Sequence, residues 1–505
     1  MTARLQRLPP EALCLLLILL GGGAGAVAAP RAHGLDPFTG MVIGMVVAAV
    51  GTAALVLLEP AWLLTGALLL SVFSGNWSNM GIPFPLDRVA LVCGIGSTLV
   101  LAVRNRERID VRFVHWLMGL LILFAVVSAA WSGTLSQHAP LFALLDRLGL
   151  FPFVLYLVAP VAFKQPHQRR ILAVGLLILG AYLGLITLFE AVGLRGLVIP
   201  HYILDPTLGI HAERARGPFL EAGANGLAMF VCLVGAAITI PWWRDRRMKA
   251  LAVGVMILCA AGILYTLTRQ TWVGAVGGTV AAMLADRRLR RYLPAAAAAG
   301  LIVIAVSLVL IPGLSQSVTT RSGAQGPVWD RLNSDAAALR MIEARPALGF
   351  GWGSFQTASV PYYRLAATYP LTAVGQAHNV PLSNGAELGL AGTFLWLVIV
   401  VLALVVPATR RAPPGFEHWR LGVIAVATAW FIQANFTPLD YAFDNYVIWL
   451  FAGILVSGHL HHGESPKPAS VQTPRRPPRR ARDHGVHRPV PPDQRAGVHP
   501  ETHLR

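Results

Sequence analysis

Long apolar runs, repeated along nearly the whole chain, constrain this sequence more than any other feature. A helix crosses the hydrocarbon core of a bilayer with about 17–25 mostly apolar residues. Runs of this kind fall near 11–29, 41–58, 60–76, 88–103, 113–132, 147–163, 171–190, 222–241, 250–267, 271–286, 293–312, 385–406, 420–436 and 444–460. Backbone polar groups in lipid must be satisfied within their own segment, so these runs fold as helices. Composition agrees: 55% of the residues are hydrophobic and 13% charged, where a soluble domain carries about a quarter charged. The expected fold is all-α, a polytopic transmembrane bundle of about 12–14 helices.

The formal charge of +17 would point to nucleic acid in a soluble protein. Here it does not, because the basic residues cluster in short loops between apolar runs. Arg104, Arg106, Arg108 and Arg112 fill one such loop, and Lys164, Arg169 and Arg170 a second. Arg244, Arg246, Arg247 and Lys249 fill a third, Arg287, Arg288, Arg290 and Arg291 a fourth, and Arg410, Arg411 and Arg420 a fifth. With the runs above, all five fall on the same side as Arg4 and Arg7. Positive loops mark the cytoplasmic face, and their partner is the anionic lipid of a plasma (inner) membrane.

Residues 1–462 are expected to form the membrane domain and 463–505 a disordered basic tail on the cytoplasmic side, too rich in Pro, Arg and His to bury a core. The first apolar run reads either as a cleaved signal, with Ala26-Val27-Ala28 as the processing site, or as a retained helix, which is preferred. Two outward segments stand out, about 191–221 and about 313–384, the longer one expected to carry short helices. Loops beyond roughly 15 residues usually have a function, so the chemistry is expected on the outer face. Cys14, Cys93, Cys232 and Cys259 all lie in apolar runs with no CxxC spacing. They read as small buried hydrophobes, with no metal site and no disulfide framework.

Three outward arginines break the charge pattern: Arg214 and Arg216 in HAERARGPFLEAGANGLA (211–228), and Arg269 in YTLTRQTWVG (265–274). Either they reach lipid phosphates or a local acid such as Glu213, or they bind a ligand. Arg269 sits in a very tight turn at the membrane surface, which favours a ligand. Guanidinium groups bind phosphate bidentately and at any ordinary pH, so arginines at this face suit a lipid-linked diphosphate. In AHNVPLSNGAELGLAG (377–392), Pro381 fits the first turn of a helix that Asn379 caps, with His378 at its mouth. A helix N-terminus favours neutral imidazole, which can act as a general base; a structural role for a lone histidine is the alternative. Glu387 lies about 9 Å further along. A carboxylate there pairs with Arg269, accepts from a histidine, or braces backbone amides, while Gly385, Gly389 and Gly392 let a neighbour approach. In RLNSDAAALRMIEARPALGFGWGSF (331–355), Ser334 or Asp335 is expected to cap a short helix with Leu339 and Ile342 on one face. Tyr362, Tyr363 and Tyr369 follow, as interfacial anchors or sugar-stacking rings.

Four segments in this order resemble the O-antigen ligase and polymerase superfamily. His378, Asn379, Leu382, Glu387, Gly389 and Gly392 fit its H-N-x-x-L-x-x-x-x-E-x-G-x-x-G signature after a large periplasmic loop. RPALGFGWGSF resembles R-P-x-x-G-x-G-x-x-x-F, with Arg345, Pro346, Gly349, Gly351 and Phe355. LTRQTW carries Arg269 in a segment of L-[ST]-x-R type. RARGPFLEAGANGLA resembles R-x-x-G-x-F…N-x-L-A, although Ala224 stands where the family has Pro, and Arg216 rivals Arg214 as its arginine. The resemblance implies an inverting, metal-independent glycosyltransferase without cofactor. It would take a glycan from a polyprenyl-diphosphate carrier to an acceptor hydroxyl on a glycan, lipid or wall polymer. His378 would activate the acceptor, Arg214 or Arg216 together with Arg269 would hold the diphosphate, and Glu387 and Asn379 would support the site. Ligase and polymerase differ in the acceptor and stay open here. A flippase for the same lipids is the remaining alternative, weakened by the lack of an internal repeat.

Overall fold

The computed structural model describes residues 58–310, 326–363 and 377–463, with Gln316, Thr319 and Gly375 between them. The first apolar run and most of the second, the Ala26-Val27-Ala28 segment, Tyr369 and the basic tail from 464 onward lie outside the described residues.

The described chain is an all-α bundle. Its main helices are α1 Pro60–Leu70, α2 Leu86–Arg104, α3 Phe113–Trp131, α4 Leu150–Ala162, α5 Pro166–Ala191, α6 Ala222–Thr239 and α7 Arg246–Tyr265. They continue as α8 Arg269–Ala285, α9 Leu293–Leu310, α10 Gly326–Ala344, α11 Val380–Val400, α12 Glu417–Ala434 and α13 Ala442–Gly463. A helix stands at every expected apolar run that falls on described residues. Among the described residues eight helical segments are long and apolar enough to cross a membrane, which makes this a multi-pass membrane protein. Helices α6 and α13 form the centre, buried along most of their length. Around them α6 packs on α5, α7 and α12, and α13 packs on α4 and α12.

Helix polarity sorts the loops to two ends. At one end the basic loops meet. Lys164 pairs with Glu107 at 3.1 Å, Arg170 lies over Trp242 and Arg169 over Phe416, and Arg288, Arg411 and Arg420 line one surface cavity. The C-termini of α5 and α7 and the N-termini of α6 and α8 lie at the other end. The five loops read as one face in the sequence therefore gather on one face of the bundle.

Two elements differ from expectation. Helix α10 begins at Gly326, eight residues before Ser334, so neither Ser334 nor Asp335 caps it; Ser334 Oγ instead donates to the Arg331 carbonyl at 2.9 Å. Its buried face carries Ala338 and Met341, and Leu339 is 50% exposed. Small side chains are needed there because α10 lies directly on α11, where Ala338 meets Ala377 and Ala386. Helix α11 starts at Val380 behind the expected Asn379 cap, but it is broken at Gly389, which the apolar run did not suggest.

Candidate active site

The break in α11 is made by the RPALGFGWGSF segment. At Gly389 the backbone takes φ 68° and ψ −175°, a region open essentially only to glycine. The carbonyls of Ala386 and Glu387, released from the helix, accept from the Phe350 N–H at 2.9 Å and the Gly351 N–H at 2.8 Å. In return the Leu390 N–H donates to the Pro346 carbonyl at 2.8 Å. Gly349, at φ 68°, sits so close that a Cβ would strike the Glu387 carbonyl, and a Cβ on Gly389 would strike Ala347. The two motif segments are thus one unit, joined through backbone at two glycines.

Glu387 is inside this joint and 3% exposed. Its Oε1 accepts from the Phe355 N–H at 3.1 Å. Its Oε2 is 3.6 Å from Arg147, which also pairs with Asp440 at 3.2 Å and lies over the Trp352 ring at 4.9 Å. Of the partners expected for Glu387, backbone amides are the ones present, and the cation is Arg147 rather than Arg269. The Trp352 indole N–H donates to the Pro140 carbonyl and its backbone N–H to Ser128 Oγ, so the turn is seated on the C-terminal part of α3 and the segment after it.

At the mouth of α11, Asn379 Oδ1 accepts from the Leu382 N–H at 3.0 Å and Pro381 stands in the first turn. His378, half-buried, immediately precedes this cap. Its neighbour Ala377 packs on Ala338 and Met341 of α10. Tyr362 packs edge-on against Phe350, and its carbonyl accepts from Arg340; the Tyr363 hydroxyl donates to the Gly375 carbonyl. These two rings brace the outer segment.

The arginines separate into two kinds. Arg216 is 2% exposed. Its guanidinium donates to the carbonyls of Ile203 (2.9 Å from Nη2), Leu208 and Asp205, which pins the 203–208 loop. Arg214 lies in a different setting, with 11% of its side chain exposed and Nε 3.5 Å from Glu213. Asn225 sets this alternation. It is fully buried, donates to the Ala215 carbonyl at 3.1 Å, and lies against Gly217 where a Cβ would collide.

Arg214 contributes its charge to Glu221, which caps α6 by accepting from the Ala224 N–H at 2.5 Å. Burial raises the Glu221 carboxyl above its usual range, while those amides and the charges of Arg214 and Arg331 oppose the rise. Arg331, on α10, donates to Gln270 Oε1 at 2.8 Å, and Gln270 follows Arg269 at the start of α8. Burial, and after it the Arg269 charge, press the Arg331 guanidinium below its ordinary range. One turn on, Asp335 is pushed up to about 6 by burial against the pull of Arg331. Arg214 and Arg331 thus both act on Glu221, Arg269 acts on Arg331, and α10 runs from there to the Ala377–His378 turn. Arg331 and Arg147 were not singled out from sequence. Arg331 lies in the long 313–384 segment, where the tight-turn argument that singled out Arg269 does not reach it.

Comparison with known families gives an independent reading. Residues 254–397 match the family model described as O-Antigen ligase. The match takes in the Arg269 turn, α10, the glycine-rich turn and the His378 helix. No curated protein matches the chain. Over residues 254–397, under a third of its length, the chain is thus similar to the O-antigen ligase family.

Proposed function

We propose that this protein is a membrane glycosyltransferase that moves a glycan from a polyprenyl-diphosphate carrier to an acceptor hydroxyl on the outer face of the plasma membrane. The observation that carries the proposal is the course of α10. Its first turns hold Arg331 against Gln270, which follows Arg269, and about 10 Å along the same helix Ala338 shares a buried cluster with Ala377, next to His378. Cationic and basic groups are thereby presented on one rigid strut.

In this reading His378 takes the proton of the acceptor hydroxyl. The oxygen attacks the anomeric carbon, the bond from that carbon to the diphosphate oxygen breaks, and the configuration inverts through an oxocarbenium-like state. Arg214, Arg269 and Arg331 take up the charge that develops on the departing diphosphate, the dominant barrier-lowering effect where the leaving group is already good. Guanidinium groups perform this neutralisation without a metal ion. Arg216 holds the loop that aims Arg214. Glu387, with Arg147, holds the turn that aims the His378 helix, and Asn379 caps it. Ligation and polymerisation share this chemistry and differ only in the hydroxyl presented.

The test is transfer by purified protein in detergent, with a polyprenyl-diphosphate glycan and a panel of lipid, glycan and wall-polymer acceptors, in EDTA. Transfer with inversion at the new linkage is expected. A strict requirement for added divalent metal would overturn the mechanism.

A further inference from the structure

An open cavity of about 250 Å³ lies between the C-termini of α5 and α7 and the 203–216 loop. Its walls include Glu190, Arg195, Arg214, Arg216, Tyr265 and Leu267. Two of these groups have chemistry that the mechanism above does not use. Tyr265 is 5% exposed, its ring packs on Ala215, and its buried hydroxyl has no hydrogen-bond partner among the described residues. Neither buried carboxylate oxygen of Glu190 has such a partner within normal geometry, although the Arg216 and Gly217 amides lie on its side. Buried polar atoms are normally satisfied, and leaving them unsatisfied is costly. A carboxyl group and a phenol hydroxyl lining one cavity are what a polyhydroxylated ring satisfies, since the carboxylate accepts from hydroxyls and the phenol both donates and accepts.

The cavity's place in the chain adds to this. Arg214 lines it, and Leu267 lies two residues before Arg269, so it opens beside the arginines assigned to the diphosphate. At about 250 Å³ it is below the roughly 300–1,000 Å³ of pockets for larger ligands, room for a single sugar ring and not for an oligosaccharide. Building on the function proposed above, we infer that this cavity is a monosaccharide subsite. It takes the sugar joined directly to the diphosphate, with Glu190 and Tyr265 reading its hydroxyls and Arg214 at the sugar–phosphate boundary.

The experiment compares two ligands on the full-length protein in detergent: polyprenyl diphosphate carrying one sugar, and bare polyprenyl diphosphate. Affinities are measured for wild type, Tyr265→Phe, Glu190→Gln and Arg214→Ala. Tyr265→Phe removes one oxygen and is the conservative probe. It is expected to weaken the sugar-bearing lipid roughly 3- to 10-fold, the scale of one hydrogen bond, and to leave the bare lipid unchanged. Glu190→Gln should act in the same direction, and Arg214→Ala should weaken both lipids. Equal effects of Tyr265→Phe on both lipids, or none on either, would overturn the subsite. Failure of wild type to bind either lipid would instead remove the donor assignment on which the subsite rests.

Discussion

Arg214 and Arg216 are two residues apart and chemically identical, yet they stand in opposite environments. Around Arg216 the backbone supplies acceptors: three carbonyls of the 203–208 loop close on one guanidinium. Around Arg214 and Arg331 the nearby acids are Glu221, which feels both cations, and Asp335, which feels Arg331 alone; burial makes both acids reluctant to ionise, and Arg269 adds its charge beside Arg331. A guanidinium saturated by carbonyls is a structural tie. Guanidinium groups close to one another are stabilised by an anion between them, which is the basis on which the second group is proposed to hold the diphosphate. Residue type does not separate the two, because the difference lies in which backbone or side chain faces the fork.

The sharpest way to break the comparison is to remove each arginine in turn. Arg269→Ala and Arg214→Ala should each lower transfer roughly 100-fold with an unchanged melting temperature. Arg216→Ala should instead destabilise the fold by roughly 3 kcal/mol, because it leaves loop carbonyls without donors, seen as a lower melting temperature in detergent. An Arg216→Ala protein that melts like wild type but cannot bind donor would exchange the two roles. Gly389→Ala tests the other joint. Its strained backbone should cost roughly 2–3 kcal/mol, and a variant of wild-type stability would show that the break in α11 is not required. Arg331→Gln should lower transfer about 10-fold and raise the donor's apparent dissociation constant, with no change in pH profile; full activity would confine the cluster to Arg214 and Arg269.

The smallest effect concerns Asp335. Its folded pKa is raised to about 6 above an ordinary carboxyl value near 3.9. The folded protein therefore holds the proton more tightly than the unfolded chain between those values. Stability should fall as pH rises from about 4 to about 6 and then level off. Asp335→Asn should flatten that window in thermal melts, and an unaltered slope would place the titration elsewhere.

Much of the fold was legible because lipid enforces a simple rule: apolar runs of helix length become helices, and basic loops share a face. The Asn379 cap was legible too, since Asn before Val-Pro has a local meaning. The extent of α10 was not, because residues 326–336 are largely polar and carry no clear apolar period. The choice between Arg214 and Arg216 was beyond sequence because Asn225 and Gly217, far from either side chain's tip, decide which arginine turns inward. Arg147 escaped notice for a related reason. It lies in the helical turn Ala143–Leu148, which carries no motif, and meets Glu387 only through tertiary packing.

The account rests on His378 acting on the acceptor while the arginines hold the donor. Its most direct test is single-turnover transfer by His378→Ala with the donor already bound. The expected result is a rate lowered roughly 10²- to 10⁴-fold with donor affinity within about twofold of wild type. Transfer at the wild-type rate by that variant would contradict it.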